Sequence, residues 1–373
     1  MSAKKLKVLH LTSHLDVGGI SRYIQLLGTM MIQRGHRVDV ASGGGALEGE
    51  FEQGGMKTYR FEIRKKSILS PALYFPLSRI AGLIRNENYD VIHAHTRVTQ
   101  ALSFFLRRMT GVPTVSTYHG FFKYNFGRKA FPFWADRIVA ISAPVAEELQ
   151  SLHHAPPARI RVVGNAIDIQ KSELRLSQKN SKIIRLKYGI SEKAIVVSSI
   201  ARLVQDKGHE ILIRAMAELL PSFPDIFILM AGDGREKANL ERLIAELKLE
   251  GHAALVPSVL DISEILAVTD IFAHPAFYRE GFGLAIAEAM AARKPVVITN
   301  ISAINQLFRP GECSVMAEPA DVRALAGAIR FLMEAPAESA RIAEAGHRLV
   351  QTLCSVERQS DEMEAVYREL LSQ

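Results

Sequence analysis

Lys7-Val-Leu-His-Leu-Thr12 is a short run of strand formers. Gly18-Gly19 interrupts the chain, residues 19–34 carry apolar side chains at helical spacing, and Arg37-Val-Asp-Val-Ala41 returns to strand character. Strand, glycine turn, helix and strand in that order is the β-α-β pattern. The pattern recurs. Asp90-Val-Ile-His-Ala94, Pro113-Thr-Val-Ser-Thr117, Arg137-Ile-Val-Ala-Ile141 and Ile160-Arg-Val-Val163 are further strand candidates, with helical spacing near 71–86 and 96–109. Residues 171–187 are rich in Lys, Arg, Ser and Gln, show no strand pattern, and read as an interdomain crossing or the start of a new domain. Alternation restarts at Ala194-Ile-Val-Val-Ser-Ser-Ile200 and continues through 226–230, 253–256, 271–273 and 295–298, and from Asp321 onward the chain reads as helical. The fold class is therefore α/β, with two doubly wound parallel sheets in tandem. Ligands are expected at the C-terminal ends of the strands, in a cleft between the domains.

The composition agrees. Of 373 residues, 48% are hydrophobic and 23% charged, which excludes disorder as the dominant state. Two cysteines, Cys313 and Cys354, exclude a disulfide framework and a four-cysteine zinc site. No uncharged apolar run approaches the roughly 20 residues of a membrane span. The basic start (Lys4, Lys5, Lys7) leads into a strand-like run too short for a signal sequence. The expectation is a soluble cytoplasmic protein, with contact at a membrane surface left open. The net charge is +7 and unevenly spread: residues 1–165 carry 22 Lys and Arg against 11 Asp and Glu, and residues 166–373 carry 24 against 28.

Four segments carry candidate chemistry. In Glu280-Gly-Phe-Gly-Leu-Ala-Ile-Ala-Glu288, Gly281 and Gly283 permit a tight turn, and a helix starting near Gly283 points unpaired N–H groups at a phosphate or hydroxyl. Glu288 is expected inside that helix among Leu, Ile, Ala and Met, so it meets either a sugar or ribose hydroxyl or a structural Arg. In Ser198-Ser-Ile-Ala-Arg202-Leu-Val-Gln-Asp-Lys207-Gly208, Arg202 and Lys207 follow a strand and can reach one diphosphate, or they are two charges on a solvated loop. Ser13-His-Leu-Asp-Val-Gly18-Gly19 lacks the third glycine of a dinucleotide fingerprint and reads as a turn exposing backbone N–H groups. Ser116-Thr-Tyr-His119-Gly120 places His119 past a strand end, as a cleft residue or a structural hydrogen-bonder.

Taken in order, these segments resemble the glycosyltransferases of family 4. The features that carry the resemblance are the Gly18-Gly19 turn, Asp90-Val-Ile-His-Ala-His95, Thr117-Tyr-His119-Gly120, Gly164-Asn165-Ala-Ile-Asp168, Arg202 with Lys207, and Glu280 with Glu288 in an E-x7-E pattern. The resemblance implies the GT-B fold, two Rossmann-like domains facing a cleft. It places an acceptor domain at 1–168, a donor domain at 169–355 and a final helix, 356–373, crossing back to the first domain. It implies that Arg202 and Lys207 hold the donor diphosphate, that Glu288 binds the ribose and Glu280 the transferred sugar, and that the backbone of Gly281, Phe282, Gly283 and Leu284 touches sugar or phosphate. Gly18 and Gly19 would line the donor–acceptor junction, with His119 beside the donor sugar. Asn300-Ile-Ser302-Ala303-Ile-Asn-Gln306 departs from the Gly-Gly and Glu of many relatives, which leaves the donor sugar open.

The implied activity is retaining transfer of a sugar from a nucleoside-diphosphate sugar to a glycan or lipid-linked acceptor, in cell-envelope polysaccharide or lipopolysaccharide synthesis. No Asp-x-Asp pair occurs, so Arg202, Lys207 and a helix end are expected to replace a metal ion, and no cofactor is expected. The excess positive charge of the first domain suits an anionic acceptor or the inner face of the cell membrane, which would make the protein peripheral there. In Phe121-Phe-Lys-Tyr-Asn-Phe-Gly-Arg-Lys-Ala-Phe-Pro-Phe-Trp134, aromatic and basic residues alternate, which fits a bilayer interface and a core beside His119 equally. His93 and His95 share a strand face without an evident third metal ligand. Gly43-Gly-Gly45 is expected to be a mobile loop and His153-His154 a surface turn. The alternatives are a GT-B sugar-nucleotide epimerase and a non-catalytic membrane-surface protein; nucleic acid is not an expected partner.

Overall fold

The computed structural model describes residues 4–65, 67–122, 126–259 and 261–372, with backbone alone at Phe126. The chain divides into two compact units: Met1–Ala166 with Val356–Gln373, and Ile167–Ser355. The division falls after Ala166, against the 168 read from the sequence.

Unit 1 contains β1 (Lys7–Leu11), β2 (Arg37–Ser42), β3 (Thr58–Arg60), β4 (Val91–Ala94), β5 (Thr114–Tyr118), β6 (Arg137–Ala140) and β7 (Ile160–Val162). They form one sheet in the order β3-β2-β1-β4-β5-β6-β7, and every pairing is parallel. Unit 2 contains β8 (Ile195–Ile200), β9 (Ile226–Ala231), β10 (Ala253–Val256), β11 (Ile271–His274), β12 (Val296–Thr299) and β13 (Val315–Ala317), in the order β10-β9-β8-β11-β12-β13, again all parallel. In both sheets the first strand lies centrally and the order reverses between the first and fourth strands. That reversal is the switch point where doubly wound sheets open a ligand crevice at their strand ends.

The strands are rich in Val, Ile and Leu because a parallel sheet is covered on both faces. In β1, Leu9 and Leu11 join one core with Ile92 and Leu102, and Val8 joins another with Leu27, Val91 and Met363. The helices that matter for the sites are α1 (Gly19–Gln33), α2 (Arg97–Thr110), α3 (His209–Leu219), α4 (Leu284–Ala291) and α5 (Val356–Leu371). α5 lies against unit 1: Arg34 at the end of α1 donates to Asp361 at 2.6 Å, and Met363, Val366 and Tyr367 are buried.

One device is shared by the units. Asp90, just before β4, accepts the backbone N–H of Lys7 at the start of β1 at 2.9 Å. Asp270, just before β11, accepts that of Val196 in β8 at 2.8 Å. Each aspartate satisfies a backbone donor near the start of its sheet's first strand and ties together the two strands that flank the switch point. Residues 171–187, which carry no strand, lie in two helices, Ile169–Ser177 and Ser181–Lys187. The first is capped by Asp168, which accepts from Lys171 N at 2.9 Å. Gly43–Gly45 are packed rather than free: a Cβ on Gly45 would lie 2.3 Å from the Leu15 carbonyl carbon, and Gly43 N donates to Ser13 O. Among the described residues no helix is long and apolar enough to cross a membrane.

Candidate functional site

In unit 2 the sequence-predicted residues gather where β8 and β11 end. Lys207 closes a 3-10 turn, Gln205–Lys207, and Gly208 then takes the left-handed conformation (φ 69°) to start α3. A Cβ on Gly208 would sit 2.0 Å from the Pro275 carbonyl oxygen, so only glycine lets the β8 loop approach the β11 loop this closely. The approach brings the Lys207 ammonium onto the Glu280 carboxylate as a hydrogen-bonded ion pair, with side chains 14% and 19% exposed.

His274, the last residue of β11, stands behind that pair. Its Nε2 is 3.5 Å from Glu280 Oε2, without hydrogen-bond geometry. Burial by itself would raise the Glu280 carboxyl. His274 and Lys207 outweigh burial and hold it well below the usual carboxylate range, so Glu280 is an anion at neutral pH. His209, in the first turn of α3, is 2% exposed and pushed down to about 4, by burial first and then by His274 and Lys207. Neither ring nitrogen of His209 or of His274 has a hydrogen-bond partner among the described residues.

Gly283 caps α4 at φ 81° with no side chain to close the first turn. A Cβ there would come within 2.8 Å of Ile286 Cδ1 and 3.0 Å of Ile304 Cδ1. Phe282 turns into the core against Phe308 and is 3% exposed, so it and Gly283 can offer a ligand only backbone. Leu284 begins the helix. Glu288 lies inside α4, between buried Ala287 and Ala289, and is itself half-buried. Arg202 is exposed and makes no ion pair among the described residues.

Unit 1 contributes a chain of imidazoles. Parallel register sets His10 of β1 opposite His93 of β4. His95 follows β4, and His119 follows β5. His10 Nδ1 lies 2.7 Å from His95 Nε2, and His95 Nδ1 lies 3.1 Å from His119 Nε2. His93 is held by Tyr367 of α5 at 2.6 Å and by Thr117 at 2.7 Å. Tyr23 of α1 packs edge-on against His119, with centroids 4.9 Å apart. Burial pushes His10 and His119 down to about 3 and His93 and His95 well below their ordinary value, so the rings are uncharged at neutral pH. His10 is the third imidazole that the sequence did not reveal: ligand atoms of His10, His93 and His95 lie within 4.8 Å of one another. Both nitrogens of His93 and of His95 are already partnered, and among the described residues no carboxylate joins the three, so the group is a hydrogen-bonded chain rather than a cage prepared for a divalent charge.

Gly18 precedes α1 in an extended conformation, and a Cβ there meets nothing within 4 Å. Gly19 is the first residue of α1. His153 and His154 lie at a turn as expected and His154 is exposed, but the His153 side chain is buried at 8% exposure, with Nε2 3.3 Å from Phe122 O. In the aromatic segment, Lys123, Tyr124 and Asn125 lie outside the described residues. Phe133 is buried against Phe104, Phe122 and Trp134 pack against Tyr118, and Phe131 is 51% exposed.

The residues missed in the sequence are His10, His209 and His274. Their signal lies in strand pairing and loop approach, which link positions far apart in the chain. His274 does carry a local hint, as a polar residue ending an apolar strand six positions before Glu280.

Residues 180–349 match the family model described as glycosyl transferases group 1, and residues 17–171 match that of Glycosyltransferase Family 4. An uncharacterized glycosyltransferase of Methanocaldococcus jannaschii is 25% identical over 312 residues, covering 79% of each chain. The Anabaena protein HepE, solved in complex with UDP and glucose, has a TM-score of 0.84 at 22% identity, covering 98% of this chain and 100% of its own. WaaG, a glycosyltransferase involved in lipopolysaccharide biosynthesis, has a TM-score of 0.74 at 18% identity, covering 96% of this chain and 99% of its own. At these identities the two structures show the shared fold.

Proposed function

The chain belongs to the GT-B glycosyltransferases of the family 4 type, and from that premise we propose that it moves a hexose, with retention and without a metal ion, from a nucleoside-diphosphate sugar to a glycan or lipid-linked acceptor. The observation that carries this is the Lys207–Glu280 pair across the switch point of unit 2, beside the glycine-capped start of α4. Breaking the anomeric C–O bond leaves negative charge on the diphosphate, and that charge needs fixed positive partners. Lys207, exposed Arg202 and the first N–H groups of α4 supply them, the task a divalent ion performs elsewhere. Glu280, kept ionised, accepts hydrogen bonds from hydroxyls of the transferred sugar. Glu288 accepts them from the ribose. The acceptor oxygen forms its bond to the anomeric carbon on the face from which the diphosphate leaves, and the acceptor's proton passes to the departing phosphate oxygen. His119, uncharged and hydrogen-bonded to His95, offers an imidazole nitrogen to the sugar.

The complex of HepE with UDP and glucose supports UDP-glucose as the first donor to try. The likeness to WaaG and the charge of residues 1–165, 22 Lys and Arg against 11 Asp and Glu, support an anionic envelope acceptor at the inner face of the membrane. The test is release of UDP from UDP-glucose in EDTA, with and without lipopolysaccharide core acceptors. Acceptor-dependent release that Glu280→Gln abolishes supports the reading. Release that needs added divalent metal, or that survives Glu280→Gln at wild-type rate, contradicts it.

A further inference from the structure

We propose that His274 is a positioning residue for Glu280 that takes up a proton when a nucleotide sugar binds unit 2, replacing the charge Lys207 gives up to the diphosphate. The inference rests on the reading above, in which Lys207 meets the diphosphate.

Lys207 is the only ammonium paired with Glu280 among the described residues. An ammonium is a compact charge, and the contact it makes with a carboxylate is weakened when a doubly charged diphosphate takes it. Glu280 would then be a largely buried carboxylate short of a counter-charge, and such a group either gains a proton or acquires a new cation beside it. The groups facing His274 determine which. They are Glu280 in the loop after β11, at 3.5 Å; Lys207 before α3; and His209 at the start of α3. His274 is 3% exposed and its ring nitrogens have no hydrogen-bond partner among the described residues, so it can accept a proton without breaking an existing bond. A proton on Glu280 itself would blunt its capacity to accept sugar hydroxyls. A proton on His274 leaves the carboxylate charged and fixes its orientation through an N–H pointed at Oε2. His209 sits beside Lys207 and is already disfavoured as a cation, so it ranks second. The incoming negative charge raises the proton affinity of both rings, so the proposed direction is uptake from solvent.

Calorimetric titration of UDP-glucose into the full chain tests this, in EDTA, without acceptor, near pH 7, in buffers of different ionisation enthalpy; GDP-mannose is the second probe. A nucleotide sugar has no terminal phosphate, whereas free UDP has one that titrates near pH ~6, so the sugar nucleotide isolates the protein's proton. The wild type is expected to show net proton uptake and a dissociation constant that weakens as pH rises. His274→Phe is expected to show no uptake, a flat pH profile and at least about tenfold weaker binding, the scale of one lost charge-assisted hydrogen bond. His274→Gln keeps a donor without a titrating group and guards against misfolding in the Phe variant: it should recover part of the affinity but none of the uptake. Binding by the wild type without proton uptake, or equal uptake in both variants, overturns the inference alone. Failure of the wild type to bind either nucleotide sugar overturns the donor reading with it.

Discussion

At the same topological position, the junction of first and fourth strands, the two units bury polar groups in opposite ways. Both tie the junction with an aspartate on a backbone N–H, Asp90 in unit 1 and Asp270 in unit 2. Beyond that point unit 1 places uncharged imidazoles, His10, His93, His95 and His119, bonded to one another and to Tyr367 and Thr117. Unit 2 places an ion pair, Lys207 with Glu280, backed by two histidines, His209 and His274, whose ring nitrogens have no hydrogen-bond partner among the described residues. A satisfied neutral chain costs little to bury and has few bonds to spare. An ion pair beside unpartnered rings can be rearranged by an incoming anion. The contrast separates a unit that holds shape from a unit that holds charge ready.

Acid should break the symmetry first, with the largest effect. The folded pKa of each buried ring in unit 1 is depressed, so the unfolded chain binds protons that the folded chain excludes. The stability this confers is complete above the ordinary histidine value and is lost as pH falls toward about 3 for His10 and His119. Each such ring forfeits up to about 1.4 kcal/mol per pH unit in that window. Unit 2 contributes His209, pushed to about 4, and Glu280, whose depressed carboxyl loses its contribution only below the ordinary carboxylate range. Hydrogen exchange followed by mass spectrometry at pH 7.5 and 5.5, corrected for intrinsic rates, should therefore show β1 and β4 losing protection before β8 and β11. Equal loss in both sheets would remove the distinction.

The next effect is on turnover. Lys207→Ala should lower kcat/KM by at least about a hundredfold, the usual cost of removing one charge-stabilising donor, while the exchange pattern of unit 1 stays as in the wild type. Smaller still is Tyr367→Phe, which strands one nitrogen of His93. Denaturant titration should show a loss of about 1–3 kcal/mol, the cost of an unsatisfied buried group, and donor affinity should not move. Two glycines give the finest contrast. Gly283→Ala puts a Cβ at φ 81° against Ile286 and Ile304 and should cost about 1–2 kcal/mol. Gly18→Ala meets no atom and should change stability by less than about 0.5 kcal/mol. If Gly18 leaves space for a ligand, the same change lowers turnover.

The sequence made the sheets legible because nearly every strand is an apolar run bounded by turns. It did not show β3 (Thr-Tyr-Arg) and β13 (Val-Met-Ala), whose three residues carry little strand signal, whereas the equally short edge strand β7 was read because Ile160-Arg-Val-Val163 is rich in β-branched residues. The helices Ile169–Ser177 and Ser181–Lys187 escaped because polar side chains dominate them. Lys207 and Glu280 were legible as site residues, yet their pairing was not: it depends on Gly208 admitting the Pro275 carbonyl. His10 was hidden for a related reason, since only the register of β1 on β4 sets it opposite His93. The aromatic segment 121–134 suited core and membrane alike. Phe133 is enclosed and Phe131 exposed, so one composition serves both inside and out.

In the proposed function, unit 2 binds a sugar diphosphate through Lys207 without metal. Equilibrium binding of UDP-glucose in excess EDTA, comparing wild type with Lys207→Ala, tests it most directly. Saturable binding by the wild type, weakened about a hundredfold or more by the substitution, is the predicted result. Binding that requires a divalent ion, or equal affinity in the two proteins, would contradict it.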